Sequence, residues 1–291
     1  MIIAHQIWEY GETADMATLE IDGHPFHYVA EGSGSPSIVF IHGYSCSHTD
    51  WQHQATHFAP NHRVVSVDLR GHGQSNGYTS GFNIETCGAD ICALLEALEL
   101  APAVLVGHSL GCRVVMEAAS ERPDLVAGTI MVDGSRSAEG DRQAAEFHAN
   151  DMVEEAGGIA KLRPPLFEAM FTEKTDKALQ TAVLERAAAV AEDASLELWV
   201  SMQGYDAGTM EGALSGIEGP MLIIQSTDRD PDYAGRVTLK PGDTTTWTEL
   251  ADRVVSEVRT EIVADTGHFT MLDAPGETNA LIEKFLGELS S

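Results

Sequence analysis

A chain of 291 residues that is 43% hydrophobic and 21% charged is long enough to bury a full core without disulfides or metals, as one large α/β domain or as a core carrying an inserted subdomain. Its 45 acidic residues against 17 basic ones leave a formal charge of −28, which argues against nucleic acid and against anionic membranes as partners, since both would be repelled. No run reaches the roughly 18 apolar residues of a membrane helix, and no Cys-x-x-Cys pair suggests a zinc or dithiol site, so Cys46, Cys87, Cys92 and Cys112 are expected as inert thiols.

Met1-Ile-Ile-Ala-His-Gln6 lacks the basic stretch and long apolar run of a signal peptide, so a cytoplasmic setting is expected. Thr18–Asp22 and Pro25–Ala30 alternate around Gly23 and predict an opening β-hairpin. Short apolar runs follow at 37–41, 64–67, 104–106, 128–132, 221–224 and 260–263, each suited to a strand buried on both faces. Between them, helical spacing marks Ile84 to Leu98, Leu110 to Glu121 and Ala274 to Leu289, the last with Pro275 near its start. Strands alternating with helices predict a doubly wound, mostly parallel sheet covered on both faces. From 138 to 215 the alternation stops. Ala144–Ala156, Thr175–Ala191 and Ser195–Gln203 are helical, with Pro164-Pro165 separating the first two. This stretch is expected to be an all-helical lid inserted into a core made of 1–137 and 216–291. A second excursion, 229–258, holds a turn-rich segment at 240–246 and a helix from Trp247 to Ser256.

Gly107-His108-Ser109-Leu110-Gly111 stands directly after a strand pattern and before a helix pattern. A tight strand-to-helix turn thrusts the serine out at the carboxyl edge of the sheet, and flanking glycines remove the Cβ atoms that would clash. Ser109 is therefore the candidate nucleophile, and the Leu110 backbone N–H a candidate oxyanion donor at the helix N-terminus. His42-Gly43-Tyr44 ends another strand, and the Tyr44 N–H is the second candidate donor. A serine hydroxyl needs a base, and His268, in Asp265-Thr-Gly-His-Phe269 after the last strand, follows Ser109 in chain order as this constellation requires. It is expected to make the rate rise with pH through an apparent pKa near neutrality. His108 is expected to pack or wall the pocket, and His72 to brace a turn. Asp50, His53 and His57 could share a helical face as metal ligands, but a serine site has no need of a metal, and neither metal nor cofactor is expected. For the carboxylate that orients the base, two places remain open: Asp133 after strand 128–132, and Asp228 or Asp230 after strand 221–224.

Taken together, Ile41-His-Gly43, Asp68-Leu-Arg-Gly-His-Gly-Gln-Ser75, Val106-Gly-His-Ser-Leu-Gly111 and Gly267-His-Phe269 resemble the landmarks of the α/β-hydrolase superfamily in order, over residues 19 to 286. The resemblance implies the fold and a Ser–His–acid triad but says little of the substrate. It is broken after Ile224, where family members carry a glycine and then the acid three residues on; Gln225-Ser226-Thr227-Asp228-Arg229 does not fit that spacing. Asp133 is preferred for that reason. Some members carry the acid after the earlier strand, among them a small branch of cofactor-free ring-opening dioxygenases; cofactor-free perhydrolases are similar too.

The expected activity is hydrolysis of an ester, thioester or lactone of a small hydrophobic substrate through an acyl-enzyme. A cofactor-independent ring-cleaving dioxygenase and a ligand-binding receptor with little turnover are the alternatives. The only partner expected is a small-molecule substrate; oligomeric state is not readable.

Overall fold

The computed structural model describes residues 15–229 and 235–289, so Met1–Gln6 and Asp230 lie outside the described residues. The hairpin β1 (Asp15–Ile21) and β2 (His24–Glu31) turns through Asp22-Gly23, both with positive φ (54° and 76°), the conformation a two-residue hairpin turn demands. The remaining sheet strands are β3 (Ser37–Ile41), β4 (Val64–Val67), β5 (Ala103–His108), β6 (Val126–Val132), β7 (Met221–Gln225) and β10 (Val258–Ile262). Their order across the sheet is β1-β2-β4-β3-β5-β6-β7-β10. β2 is antiparallel to both neighbours and every pair from β4 to β10 is parallel. The apolar runs account for this: β4, β5 and β7 are buried along their whole length, as strands covered on both faces must be. A short ribbon of β8 (Thr227–Arg229) and β9 (Arg236–Thr238) stands apart from the sheet, directly after β7.

Helices α1 (Gln52–Phe58), α2 (Ile84–Ala97) and α3 (Leu110–Glu121) fill the early crossovers, and α9 (Thr246–Val254), α10 (Thr270–Asp273) and α11 (Pro275–Leu289) the late ones. Between β6 and β7 come α4 (Arg142–Ala156), α5 (Ile159–Glu168), α6 (Lys177–Ala189), α7 (Glu192–Gly208) and α8 (Met210–Ser215), with no strand among them. In one layer α2 packs on α3, α3 on α8 and α8 on α9; α1, α10 and α11 pack together in the other. The fold is thus the doubly wound, mostly parallel arrangement. Among the described residues no helix is long and apolar enough to cross a membrane, and the four cysteines are buried free thiols.

One expectation is corrected. Pro164 and Pro165 do not separate two helices but lie inside α5. Proline fixes a helical φ, so a ten-residue helix can carry two at the loss of two backbone bonds. The break falls instead at Gly157-Gly158, whose φ values of 81° and 112° end α4 in the left-handed region.

Candidate active site

Ser109 sits between β5 and α3 at φ 53°, ψ −111°, a backbone conformation that costs a non-glycine residue about 1–3 kcal/mol and persists only where its surroundings hold it. They do. A Cβ on Gly107 would meet the Gly111 carbonyl oxygen at 2.4 Å, and one on Gly111 would meet the Ile41 oxygen at 2.4 Å, so only glycines allow the turn to close this tightly. The Ser109 N–H donates to the Val132 carbonyl (3.0 Å), tying the turn to the end of β6. The hydroxyl of this half-buried serine reaches His268: Oγ lies 2.8 Å from Nε2.

His268 is carried by the loop between β10 and α10 and is 1% exposed. Its own N–H donates to the Met170 carbonyl (3.0 Å), just beyond α5. Its Nδ1 is 2.6 Å from Asp133 Oδ2. With Nδ1–H donating to the carboxylate, Nε2 is left as the acceptor for the serine proton.

The carboxylate brought to the imidazole is therefore Asp133, fully buried at the end of β6 with φ 46°. Its N–H donates to the Ile224 carbonyl (2.8 Å). Oδ1 accepts from the Ser226 N–H (2.8 Å), the Ser226 hydroxyl (2.9 Å) and the Thr227 N–H (2.8 Å); Oδ2 accepts from the Thr227 hydroxyl, and Arg236 Nη2 stands 3.4 Å from it. Burial alone would push this carboxyl up. The His268 and Thr227 hydrogen bonds and the Arg236 charge outweigh it and hold the group well below the usual carboxylate range. Asp228 is not brought to His268; its Oδ1 accepts from the Arg229 N–H (2.7 Å). Sequence reasoning missed Ser226, Thr227 and Arg236. The signal was the disrupted spacing after Ile224: the residues that fail to supply an acid there supply the donors that hold an acid from the neighbouring strand.

The candidate oxyanion donors are also placed beside the serine. Leu110 is the first residue of α3, so its N–H has no intrahelical partner. A Cβ on Gly43 would come within 3.3 Å of Ser109 Cβ and 2.8 Å of His108 Nδ1, so the glycine is what lets the 43–44 peptide lie against Ser109. The Tyr44 hydroxyl fixes that loop from the other side: it donates to the Ser195 carbonyl (3.0 Å) and meets the Ser195 hydroxyl at 2.5 Å, on α7. Arg163 of α5, itself buried, donates to the same hydroxyl at 3.1 Å. Arg113 of α3 forms a bidentate pair with Asp206 of α7 (both bonds 2.6 Å) and donates to the Ser109 carbonyl (3.1 Å). The helical segment is thus fastened on both flanks of the nucleophile. It also walls a cavity of about 160 Å³ lined by residues that include Leu162, Leu166, Met170, Trp199, Arg229 and Arg236.

Five other histidines have structural partners. His108 Nε2 donates to the His268 carbonyl (2.9 Å). His42 donates from Nδ1 to the Gly43 carbonyl (2.7 Å) and accepts at Nε2 from the Leu69 N–H (3.0 Å); His72 donates to the Arg70 carbonyl (3.0 Å) and accepts from the Ser45 N–H (3.2 Å). Both therefore sit as neutral rings bracing the oxyanion loop. His27, His48 and Asp68 cluster closely enough to suggest a metal, but each Nδ1 is hydrogen-bonded directly to its own Asp68 oxygen (3.0 and 2.8 Å), and Asp68 also accepts from the His48 and Gln74 N–H groups (both 2.9 Å). Asp50 pairs with Arg186 of α6.

Burial pushes four imidazoles down, to about 4 for His42 and His268 and about 3 for His72 and His108. At His268 burial is the leading cause and the Arg236 charge the next, and together they exceed the upward pull of Asp133. With His268 pushed down in this way, an acid limb is expected below neutrality rather than near it. All four folded values lie below the roughly 6.5 of an unfolded histidine, so the unfolded chain takes up protons first as pH falls. Their contribution to stability is whole above that value and is lost toward pH 4, by up to about 1.4 kcal/mol per pH unit for each ring. We expect kcat/KM for any substrate to be flat from about pH 8 to 6, with the acid loss tracking unfolding by circular dichroism. A limb centred at or above 6.5 in protein that remains folded would show that burial does not depress His268 in this way.

A model of the alpha/beta hydrolase family matches residues 38–281. The chain belongs to that family and is an enzyme. It is 24% identical over 273 residues to the (E)-2-((N-methylformamido)methylene)succinate hydrolase of Acinetobacter baylyi, covering 89% of this chain and 93% of the relative. It is 27% identical to epoxide hydrolase B of Mycobacterium tuberculosis, covering 93% and 98%. Among solved structures, the esterase EaEST from Exiguobacterium antarcticum superposes with a TM-score of 0.77 at 16% identity over 94% of this chain and 99% of that one, a likeness of fold.

Proposed function

We propose that the chain is a serine hydrolase that cleaves an ester, thioester or lactone of a small hydrophobic substrate through an acyl-enzyme. The observation that carries this reading is the unbroken hydrogen-bond chain from Ser109 Oγ through His268 to Asp133. His268 Nε2 takes the hydroxyl proton as Oγ attacks the carbonyl carbon, and Asp133 stabilises the imidazolium that forms. The oxyanion is received by the Leu110 and Tyr44 N–H groups. The imidazolium then protonates the leaving group, and a water activated by the same ring releases the acid. Residues 138–215 act as a lid; the bonds from His268 to Met170 and from Tyr44 to Ser195 support this, because they join the lid to the base and to the oxyanion loop.

The nucleophile also separates this chain from epoxide opening. Attack on an epoxide by a serine would leave an ether, which lacks the carbonyl carbon that water attacks to free the enzyme, whereas attack on an ester leaves a hydrolysable acyl group. A second reading, cofactor-independent ring cleavage by dioxygen, is favoured by the acid standing after β6 rather than after β7. A panel of esters graded by acyl length, run beside an oxygen electrode with heteroaromatic substrates, decides between them. The hydrolase reading expects acid and alcohol to be released with no oxygen uptake; oxygen consumption with ring-cleaved product and no ester turnover would overturn it.

A further inference from the structure

Arg229 and Arg236 stand directly opposite each other across the β8–β9 ribbon, and both line the cavity walled by the helical segment. Like charges facing across an antiparallel pair destabilise it, since the Cβ atoms are only about 4.5–5.5 Å apart. Among the described residues neighbouring carboxylates offset the repulsion only in part: burial and the neighbouring arginines still hold both guanidiniums below their usual range. Among the described residues Arg229 forms no ion pair within 4 Å, and its guanidinium donates to the Ser137 carbonyl (3.0 Å). Among the described residues the carboxylate within 4 Å of Arg236 is Asp133, at 3.4 Å through an oxygen already held by His268 at 2.6 Å and by the Thr227 hydroxyl; Arg236 Nε donates to that same hydroxyl (2.6 Å). Asp206 is occupied by both arms of Arg113, and Asp228 accepts from the Arg229 backbone. In a chain with 45 acidic and 17 basic residues, two guanidiniums facing each other on one cavity wall, neither in a bidentate ion pair among the described residues, leave donors that a ligand carboxylate can take.

The cavity wall they share is otherwise largely apolar, with Leu166, Met170 and Trp199 among its residues. Three of its wall residues connect it to His268, to Tyr44 and to Asp133. Met170 accepts the His268 N–H (3.0 Å), the Trp199 ring centroid is 6.0 Å from that of Tyr44, and Arg236 reaches Asp133. An apolar trough ending in planar donor forks is the chemistry that recognises a carboxylate at the end of a short carbon chain.

We propose that Arg229 and Arg236 form a carboxylate subsite, and that the substrate is a half-ester: a small ester bearing a free carboxylate at the end remote from the carbonyl that is cleaved. The cleavage rests on the serine-hydrolase reading; the binding does not. Two measurements keep them apart. Glutarate is titrated calorimetrically into the Ser109→Ala protein with and without Arg229→Gln, and kcat/KM for methyl hydrogen glutarate is compared with that for dimethyl glutarate in the wild type and in Arg229→Gln. Glutarate binding should weaken about 10–100-fold in Arg229→Gln, and the preference for the half-ester over the diester should fall by a similar factor. The proposal is overturned if glutarate does not bind, or if Arg229→Gln leaves the preference ratio unchanged, which would make the arginine a packing residue. If neither ester is cleaved but glutarate binds in an Arg229-dependent way, the hydrolase reading fails and the subsite stands.

Discussion

Ser109→Ala is expected to lower kcat for the best ester by on the order of 10⁶-fold, with the fold retained. The serine is the atom source of the acyl-enzyme, so nothing in the Ala protein can form the intermediate, and what survives is oxyanion stabilisation and binding acting on water. Retention of the fold follows from what holds the turn. The Ser109 hydroxyl contributes the single bond to His268, whereas Gly107, Gly111 and the Ser109–Val132 backbone bond close the elbow. His268→Ala should be nearly as damaging, and the double variant hardly worse than either, because nucleophile and base act as one unit. Steady-state rates on one ester, with circular dichroism as the folding control, check this; Ser109→Ala with wild-type turnover would remove the hydrolase reading.

The second large effect concerns the acid. Asp133→Asn should lower kcat roughly 10⁴-fold, while Asp228→Asn and Asp230→Asn should retain most activity. The Asn oxygen can still accept from Ser226 and Thr227, but its NH₂ group then faces His268 Nδ1. That contact favours the tautomer with the proton on Nε2, which cannot take the serine proton. Asp228 has no comparable leverage, since its carboxylate turns to the Arg229 N–H. Kinetics on the three variants give the ranking, and its reversal would move the acid to the later loop.

These positions differ in how far the sequence discloses them. The parallel sheet was readable because its central strands are buried on both faces and so are written as unbroken apolar runs, β5 and β7 among them. Ser109 and His268 were readable because their loops carry the glycines that tight turns require. The acid was harder, since any strand end tolerates an aspartate; only contacts from the next strand, by Ser226 and Thr227, separate Asp133 from Asp228. Arg236 left no trace at all, because it returns to Asp133 only through the β8–β9 ribbon, two short strands with no apolar alternation. The pin from Tyr44 to Ser195 joins residues 151 positions apart and can be seen only in three dimensions. The pH expectation shifts for a related reason. An unburied histidine titrates near neutrality, and the burial and the Arg236 charge that depress His268 are products of packing.

The proposed mechanism requires that Ser109 alone be activated as a nucleophile by His268. A serine-directed phosphonate tests it most directly, because it forms a covalent bond only with a hydroxyl whose proton is being removed. Incubation with the reagent, followed by peptide mass spectrometry, should give one adduct, on Ser109, with labelling slowed severely in His268→Ala and absent in Ser109→Ala. Labelling of a different serine, or labelling of Ser109 at the wild-type rate in His268→Ala, would contradict the account.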